Sequence, residues 1–394
     1  MTPGSAREVL AVFLKLGMTS FGGPIAHLGF FHRELVERRR WVSEEQYAQL
    51  LGLCQFLPGP ASSQLGFALG LMRAGWAGAL AAFLAFTLPS AVLLFGFAAL
   101  LPQLSGPIGV AAIHGLKLVA LAVVAHGVMT MARQLCPDPR RAGIATTAAV
   151  VILLSGQAWL QLVSVILGGL AGLYLCRDAK PSPGGELHTP HGIHAGWILL
   201  GSFFLLLFGL PLLTGAGAEF ALFEAFYRAG ALVFGGGHVV LPLLEETVVA
   251  SGWVSADDFL AGYGAAQAVP GPMFSFAAYL GARMPGADGG LLGASVALIG
   301  IFLPGFLLLS GILPLWRMLA RYKVAARAIA GVNAAVVGLL AAALYDPVWT
   351  SAVFGAKDVA IALVAFTMIN ALRLSVIYVV AWCVLANVLF ATIF

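Results

Sequence analysis

Charge is scarce in this chain. Asp, Glu, Lys and Arg make up 10% of 394 residues, whereas 60% are hydrophobic. Residues 76–101 and 289–316 carry no charge and are each long enough to cross a ~30 Å hydrocarbon core. The longest polar stretch, 177–195, leaves no room for a soluble domain. Cysteine is also sparse. Cys54, Cys136, Cys176 and Cys383 are scattered and form no CxxC pair, so neither a disulfide framework nor a metal site is supported. Cys54 reads as a small buried packing residue. A basic n-region with a short apolar core and cleavage site is missing, so no secretory signal peptide is evident. The net charge of +4 sits in short loops, which fits membrane topology rather than nucleic-acid binding. With no nucleotide fingerprint, metal-ligand cluster or flavin site, neither an enzyme nor a cofactor is expected. His188, His191 and His194 are spaced by three, but their Pro/Gly context suggests a mobile loop rather than a metal site.

Glycine, by contrast, is abundant at 48 residues, as expected where membrane helices approach closely. Two glycine–proline signatures recur at an offset of ~212 residues. The first copy has Phe21-Gly22-Gly23, Trp41-Val42-Ser43 and Gln55-Phe56-Leu57-Pro58-Gly59-Pro60. The second has Phe234-Gly235-Gly236, Trp253-Val254-Ser255 and Gln267-Ala268-Val269-Pro270-Gly271-Pro272. Lys15 matches Arg228, Leu88-Pro89 matches Leu303-Pro304, and Gly115-Leu116-Lys117 matches Gly331-Val332-Asn333. The chain is therefore an internal duplication. Its halves are 1–176 and 215–394, joined by 177–214, a polar linker plus one extra apolar segment.

That extra segment inverts the second half if each half crosses an even number of times. The expected fold is an all-α polytopic membrane protein of two inverted repeats. Each repeat has two broken re-entrant hairpins (7–30 and 44–72; 216–244 and 255–283) and four full spans. With the extra segment this makes nine spans and four hairpins; the alternative is thirteen spans. The nine-span scheme puts the arginine-rich 33–40 loop and most other basic loop residues in the cytoplasm. Only Arg283 and Lys357 fall outside, with Glu245, Glu246, Asp257 and Asp258.

Matched helix breaks in a membrane protein point to a transport site. Ser43-x-x-Gln46 and Ser255-x-x-Asp258 mark helix starts that should stop near Phe56 and Val269. After each Pro-Gly break a second short helix would begin at Pro60 or Pro272, presenting its unpaired N–H groups and positive dipole end to an anion. Ser62, Ser63 and Ser275 add hydroxyls, and Gln55 and Gln267 add amides. Pro58, Gly59, Pro270 and Gly271 shape the breaks themselves. Gly22, Gly23, Gly235 and Gly236 form a second pair of breaks, with His238 directly after the latter.

Lys15 and Arg228 are cations inside apolar segments at the same repeat position, six residues before a break, and an anion would be a natural partner. Lys117 lies mid-span opposite its mate Asn333. Close helix packing, proline kinks and snorkelling would explain the same residues without any ligand. Carboxylates within the apolar segments are few and near their ends (Glu8, Glu34, Glu219, Glu224, Glu246 and Asp346), which argues against a cation transporter. The repeat mates Glu34 and Glu246, or a histidine among His27, His114, His126 and His238, are the candidates for proton coupling.

These motifs closely resemble the CHR family of chromate ion transporters, in its long two-domain form and over nearly the whole chain. The resemblance implies a multi-pass protein of the bacterial inner membrane that exports chromate using the proton-motive force, with sulfate as the natural look-alike ligand. Its partners would be an oxyanion and the lipid bilayer, without nucleic acid; a homo-oligomer is left open. The second copy departs from the first at Gly237 for Pro24 and at Phe274 for Ser62. A carrier of another oxyanion, a passive anion channel and, least favoured, a chromate reductase are the competing readings.

Overall fold

A computed structural model describes residues 4–21, 23–155, 159–178, 190–234, 240–285, 289–316 and 322–393, and these are helical with no strand. In the first half the helices are α1 (Ala6–Thr19), α2 (Gly23–Phe31), α3 (Glu44–Phe56), α4 (Ala61–Leu100), α5 (Pro107–Leu135), α6 (Pro139–Ser155) and α7 (Trp159–Leu175). The connecting helix α8 is Ile193–Gly209. The second half has α9 (Ala218–Leu232), α10 (Val240–Val248), α11 (Ala256–Ala268), α12 (Phe276–Ala282), α13 (Gly290–Ile312), α14 (Lys323–Ala343), α15 (Ala356–Asn370) and α16 (Val376–Ile393).

The chain is an all-α polytopic membrane protein. Six helical stretches among the described residues are long and apolar enough to cross a bilayer: Ala61–Gln103, Pro107–Leu135, Ile193–Ala216, Gly290–Leu315, Lys323–Ala352 and Val376–Ile393. The other three expected spans form helices α6, α7 and α15 of 17, 17 and 15 residues, which fall short of a full crossing by length alone. Helix α4 breaks at Ala74 and Gly75, where Gly75 takes a φ of 63°. Its first part thus closes a hairpin with α3 and its second part is a separate long helix.

Each expected hairpin is a pair of short helices around a break. Those of the first half return to the end they came from. Arg73, at the base of the α3–α4 hairpin, pairs with Glu8 of α1 at 3.0 Å and lies over the Trp41 ring at 5.1 Å. His32, past α2, meets Glu44 at the start of α3 at 2.7 Å. The base of the α11–α12 hairpin, where Arg283 meets Asp258 at 2.6 Å, lies elsewhere. Tyr279 of that base packs 5.7 Å from Phe97, near the far end of α4. The long part of α4 therefore runs from one base to the other, and hairpins of the two halves face each other from opposite ends.

The halves also exchange helices. Helix α5 packs against α11, α15 and α16 of the second half, and α14 packs against α6 and α7 of the first. The repeat mates Gly115 and Gly331 make this possible. A Cβ on Gly115 would strike the Cys383 backbone, and one on Gly331 would strike Gly168 and Gly172. Each glycine costs about 1 kcal/mol of helix propensity, which the close backbone contact offsets through dispersion.

Candidate functional site

The breaks come together at the centre. Ser43 forms a full capping box with Gln46, so α3 starts firmly and runs to Phe56. Ser255 caps Asp258 N–H. The return half of that box is replaced by the Asp258–Arg283 pair. Gly59 and Gly271 then take φ values of 118° and 109°, open to glycine but strained for other residues. Pro60 and Pro272 sit at the N-cap rather than inside the first turn. Gly59 N–H donates to Val233 O at 2.7 Å, and Gly271 N–H donates to Ser20 O at 3.1 Å. Ser20 and Val233 are repeat mates at the ends of α1 and α9. Each Pro-Gly-Pro break is thus bonded to the Phe-Gly-Gly break of the other half.

This arrangement alters the sequence-based expectation in one respect. The glycine N–H groups at the breaks are already used between halves, so they close the centre rather than wait for an anion. Of the Phe-Gly-Gly glycines, Gly23 is described, with a φ of 75° and open space around it. Gly22, Gly235, Gly236 and His238 lie outside the described residues.

A polar belt surrounds the contact. Gln64 donates to Pro58 O at 2.8 Å and to Gly305 O at 3.0 Å. At the symmetry-related place Ser275 and Ser90 hydroxyls meet at 2.6 Å. His27 bonds Ser20 O at 3.2 Å and Ser62 Oγ at 3.5 Å. Four buried atoms here have no partner among the described residues: Ser20 Oγ, Ser63 Oγ, Gln64 Oε1 and Thr87 Oγ1. Gln64, Thr87 and Ser90 were not picked out from sequence. The aligned Pro89 and Pro304 were the available signal, because Ser90 and Gly305 follow them.

Three cavities follow one another along α14 and its extension. The first, about 470 Å³, is lined by Gln55, Gln134, Arg141, Asp178 and Asn333. The second, about 530 Å³, is lined by Gln161, Arg228, Leu232, Glu246, Thr247, Ser251 and Val336. The third, about 260 Å³, shares Gln161 and Glu246 with the second and adds Glu245, Tyr345 and Asp346. Asn333 and Val336 are one helical turn apart. Gln55 precedes Gly59 on one side and Leu232 precedes Val233 on the other, so the Gly59–Val233 bond stands between the first two cavities.

The predicted charges separate accordingly. Arg228 is 54% exposed at its side chain, faces the second cavity and pairs with Glu224 at 3.3 Å. Lys15 is exposed on α1 and has no ion pair among the described residues. Lys117 is no waiting cation. Its side chain is 7% exposed and meets Asp257 Oδ1 at 2.5 Å. One turn away His114 meets the buried Asp358 at 2.9 Å. Sequence reasoning missed both acids, because pairing across ~140 and ~244 residues leaves no local pattern. Gln267 turns back on Met273 Sδ at 3.3 Å. His191 bonds Ser310 O at 2.8 Å and stacks beside Trp76.

The two carboxylates read as proton-coupling candidates differ as well. Both lie outside the six long helices. Burial works against the charge on Glu34, but hydrogen bonds from Arg39 and Arg38 outweigh it and hold the carboxyl below its usual range. Burial pushes Glu246 up to about 7, with Arg228 pulling it down and Glu245 adding to the rise. Glu245 is likewise raised to about 7, by burial and then by Asp346.

Comparisons with known proteins agree with the architecture. The chromate transporter family profile matches residues 7–173 and again residues 220–388. The chain is 30% identical to a probable chromate transport protein of Synechococcus elongatus, over 86% of this chain and 84% of that one. It is 28% identical to a chromate transport protein of Pseudomonas aeruginosa, over 87% and 81% respectively. A chromate transport protein of Cupriavidus metallidurans is 27% identical over 86% and 81%. No solved structure matches.

Proposed function

The chain belongs to the chromate transporter family, and from that premise we propose that it is a secondary transporter that exports chromate across a bacterial inner membrane, driven by the proton-motive force. The observation that carries this reading is the pair of cavities along α14, each mostly apolar but holding a few amide or charged side chains, on either side of the Gly59–Val233 contact between helix breaks. A dianion cannot cross hydrocarbon unpaired. The Arg228 guanidinium and the Gln161 amide offer charge and donors on one side, where the Thr247 and Ser251 hydroxyls already donate to backbone carbonyls of α10. Gln55 and Asn333 offer amides on the other. Opening the Gly59–Val233 contact joins the two sides and frees N–H groups at the breaks, with Ser62, Ser63 and Ser275 in the adjoining first turns. Lys15 would serve the symmetry-related position.

The inside-negative membrane potential acts directly on such cargo. It supplies ~2.3 kcal/mol per charge per 100 mV, so roughly twice that for a dianion. The inverted repeat supplies a means of alternation. In this conformation α11 is packed on α5, while α3 stands off α14 across the first cavity. Exchanging the two arrangements would close that cavity and open its mate at the opposite end. Glu246, titrating near neutrality beside Arg228, is the better placed of the two proton-coupling candidates.

Everted vesicles test the proposal. Energised vesicles should accumulate chromate above electrochemical equilibrium, and Arg228→Ala should remove that accumulation. Uptake that never exceeds equilibrium would make the protein a channel. Sulfate competing as strongly as unlabelled chromate would widen the substrate to tetrahedral oxyanions generally. Normal accumulation in Lys15→Ala, Arg228→Ala and the double variant would remove these cations from the site.

A further inference from the structure

Among the described residues, the buried ionisable side chains of the bundle fall into two kinds. Lys117 and Glu224 each have an opposite charge to hand, in Asp257 and Arg228, and Asp358 is bonded to the His114 ring. His27 does not. It is 0% exposed, and the groups bonded to or stacked on its ring among the described residues are Ser20 just past α1 and Ser62 and Phe86 from α4, none of which ionises. Yet it occupies the crossing of the breaks. The Ser20 carbonyl that His27 Nε2–H bonds is the same oxygen that accepts Gly271 N–H from the opposite half. Its other nitrogen faces Ser62 in the first turn after the Pro58-Gly59-Pro60 break. One imidazole therefore touches the first break of its own half, the helix start beyond the second, and a carbonyl held by a break of the other half. Its repeat mate, Val240, is a buried aliphatic residue, so the duplication did not impose a histidine here.

The surroundings are unfinished in a way that suits an arriving anion. Ser20 Oγ and Ser63 Oγ are fully or nearly fully buried hydroxyls without partners among the described residues, beside the two serine groups that His27 already bonds. Hydroxyls can turn their protons toward oxygen acceptors. With the breaks closed, a positive ring would sit among neutral groups with no counter-ion, and burial of an unpaired charge is unfavourable. With a tetrahedral oxyanion between the breaks, the same ring gains a counter-charge and its proton becomes favourable.

We propose that His27 is the switchable positive charge of the crossing: neutral while the breaks are closed on each other, and protonated at Nδ1 when an oxyanion stands between them. The proton comes from water admitted as the breaks part, and it leaves when they close again. Both ring nitrogens then donate, Nε2–H to Ser20 O and Nδ1–H to the oxyanion or to Ser62 Oγ. The proposal rests on the oxyanion-transport reading above, and it adds a residue that the cavities along α14 do not contain.

Histidine-labelled protein in liposomes tests it by nitrogen NMR, with the His27 signal identified by its loss in His27→Gln or, should that variant not fold, by its shift in Ser62→Ala. Without oxyanion the signal should be that of the neutral ring protonated at Nε2 across pH 6–8. Saturating chromate should convert it to the doubly protonated ring. A His27 signal that is already cationic without oxyanion, or that chromate leaves unchanged, overturns the proposal. In transport, His27→Gln should lower chromate uptake at least ~10-fold at pH 7 and flatten the part of the pH profile that remains in Glu245→Gln/Glu246→Gln protein. An unaltered profile overturns it too. The same liposomes report separately on the underlying reading. If the wild type moves no chromate, the transporter assignment falls; if it does and the His27 signal is inert, only the role of His27 falls.

Discussion

Gly52 and Gly264 hold the same place in the two copies of the repeat, eight residues before the second proline of each Pro-Gly-Pro break, yet they meet different neighbours. Gly264 is pressed against the Leu116 carbonyl of α5, with no room for a Cβ. Gly52 lines an open cavity opposite α14. Their partners differ in kind. On the closed side Lys117 is buried against Asp257, and His114 against Asp358. On the open side the mate of Lys117 is Asn333, whose Oδ1 has no hydrogen-bond partner among the described residues. A duplicated sequence has thus been given unequal interfaces, with a Lys117–Asp257 ion pair and a His114–Asp358 hydrogen bond on one side and an unbonded Asn333 Oδ1 on the other. In an inverted repeat, such inequality within one conformation is what alternation between two conformations requires.

The comparison can be broken first at the ion pair. Asp257→Asn should destabilise by about 3 kcal/mol, because it leaves a buried ammonium without a counter-charge. Lys117→Asn, which copies the other half, should cost only about 1 kcal/mol, since Asp257 is 69% exposed and water can take over its solvation. Thermal unfolding in detergent measures both. Equal losses would mean that the pair is symmetric and that burial does not set its strength.

Arg228 and Lys15 sharpen the comparison next. Arg228→Gln should lower chromate uptake about 100-fold, equivalent to about 2.7 kcal/mol, whereas Lys15→Gln should lower it only a few-fold. The basis is that Arg228 faces a cavity in this conformation. Uptake rates in everted vesicles decide, and a larger loss for Lys15 would move the route to the α5 side.

The smallest effect concerns pH. Glu246 has its carboxyl raised to about 7 in the folded protein. A raised carboxyl favours the protonated form, so the folded state loses stability as pH climbs from ~4.5 through ~7 and the deficit is complete above that. Glu246→Gln should therefore be more stable than the wild type at pH 8 by about 1 kcal/mol, after allowing for solvent screening, and nearly equal to it at pH 5. A variant less stable at pH 8 would show that attraction to Arg228 outweighs burial.

Much of the fold was legible because glycine, proline and serine act locally. The capping box at Ser43, the stops at Phe56 and Ala268 and the paired breaks each follow from residues within a few positions of one another. The site was less legible. Sequence placed Lys117 at depth but not beside Asp257, whose own context reads as a helix start at the surface. It matched Gln55 with Gln267 but not their fates, one exposed in a cavity and the other turned on Met273. Contacts between halves depend on how far each hairpin has moved, and a repeat that is nearly identical in pattern carries no local mark of which copy is open. His27 shows the same limit: a lone histidine on an apolar stretch looks structural until its neighbours are known to be neutral and to belong to several breaks.

Thiol labelling at the duplicated glutamines tests the central claim most directly. In protein with Cys54, Cys136, Cys176 and Cys383 replaced, Gln55→Cys and Gln267→Cys report on equivalent positions of the two hairpins. A membrane-impermeant maleimide should modify Gln55→Cys at least ~10-fold faster than Gln267→Cys. Equal rates, or faster labelling of Gln267→Cys, would contradict an open α14 side facing a closed α5 side.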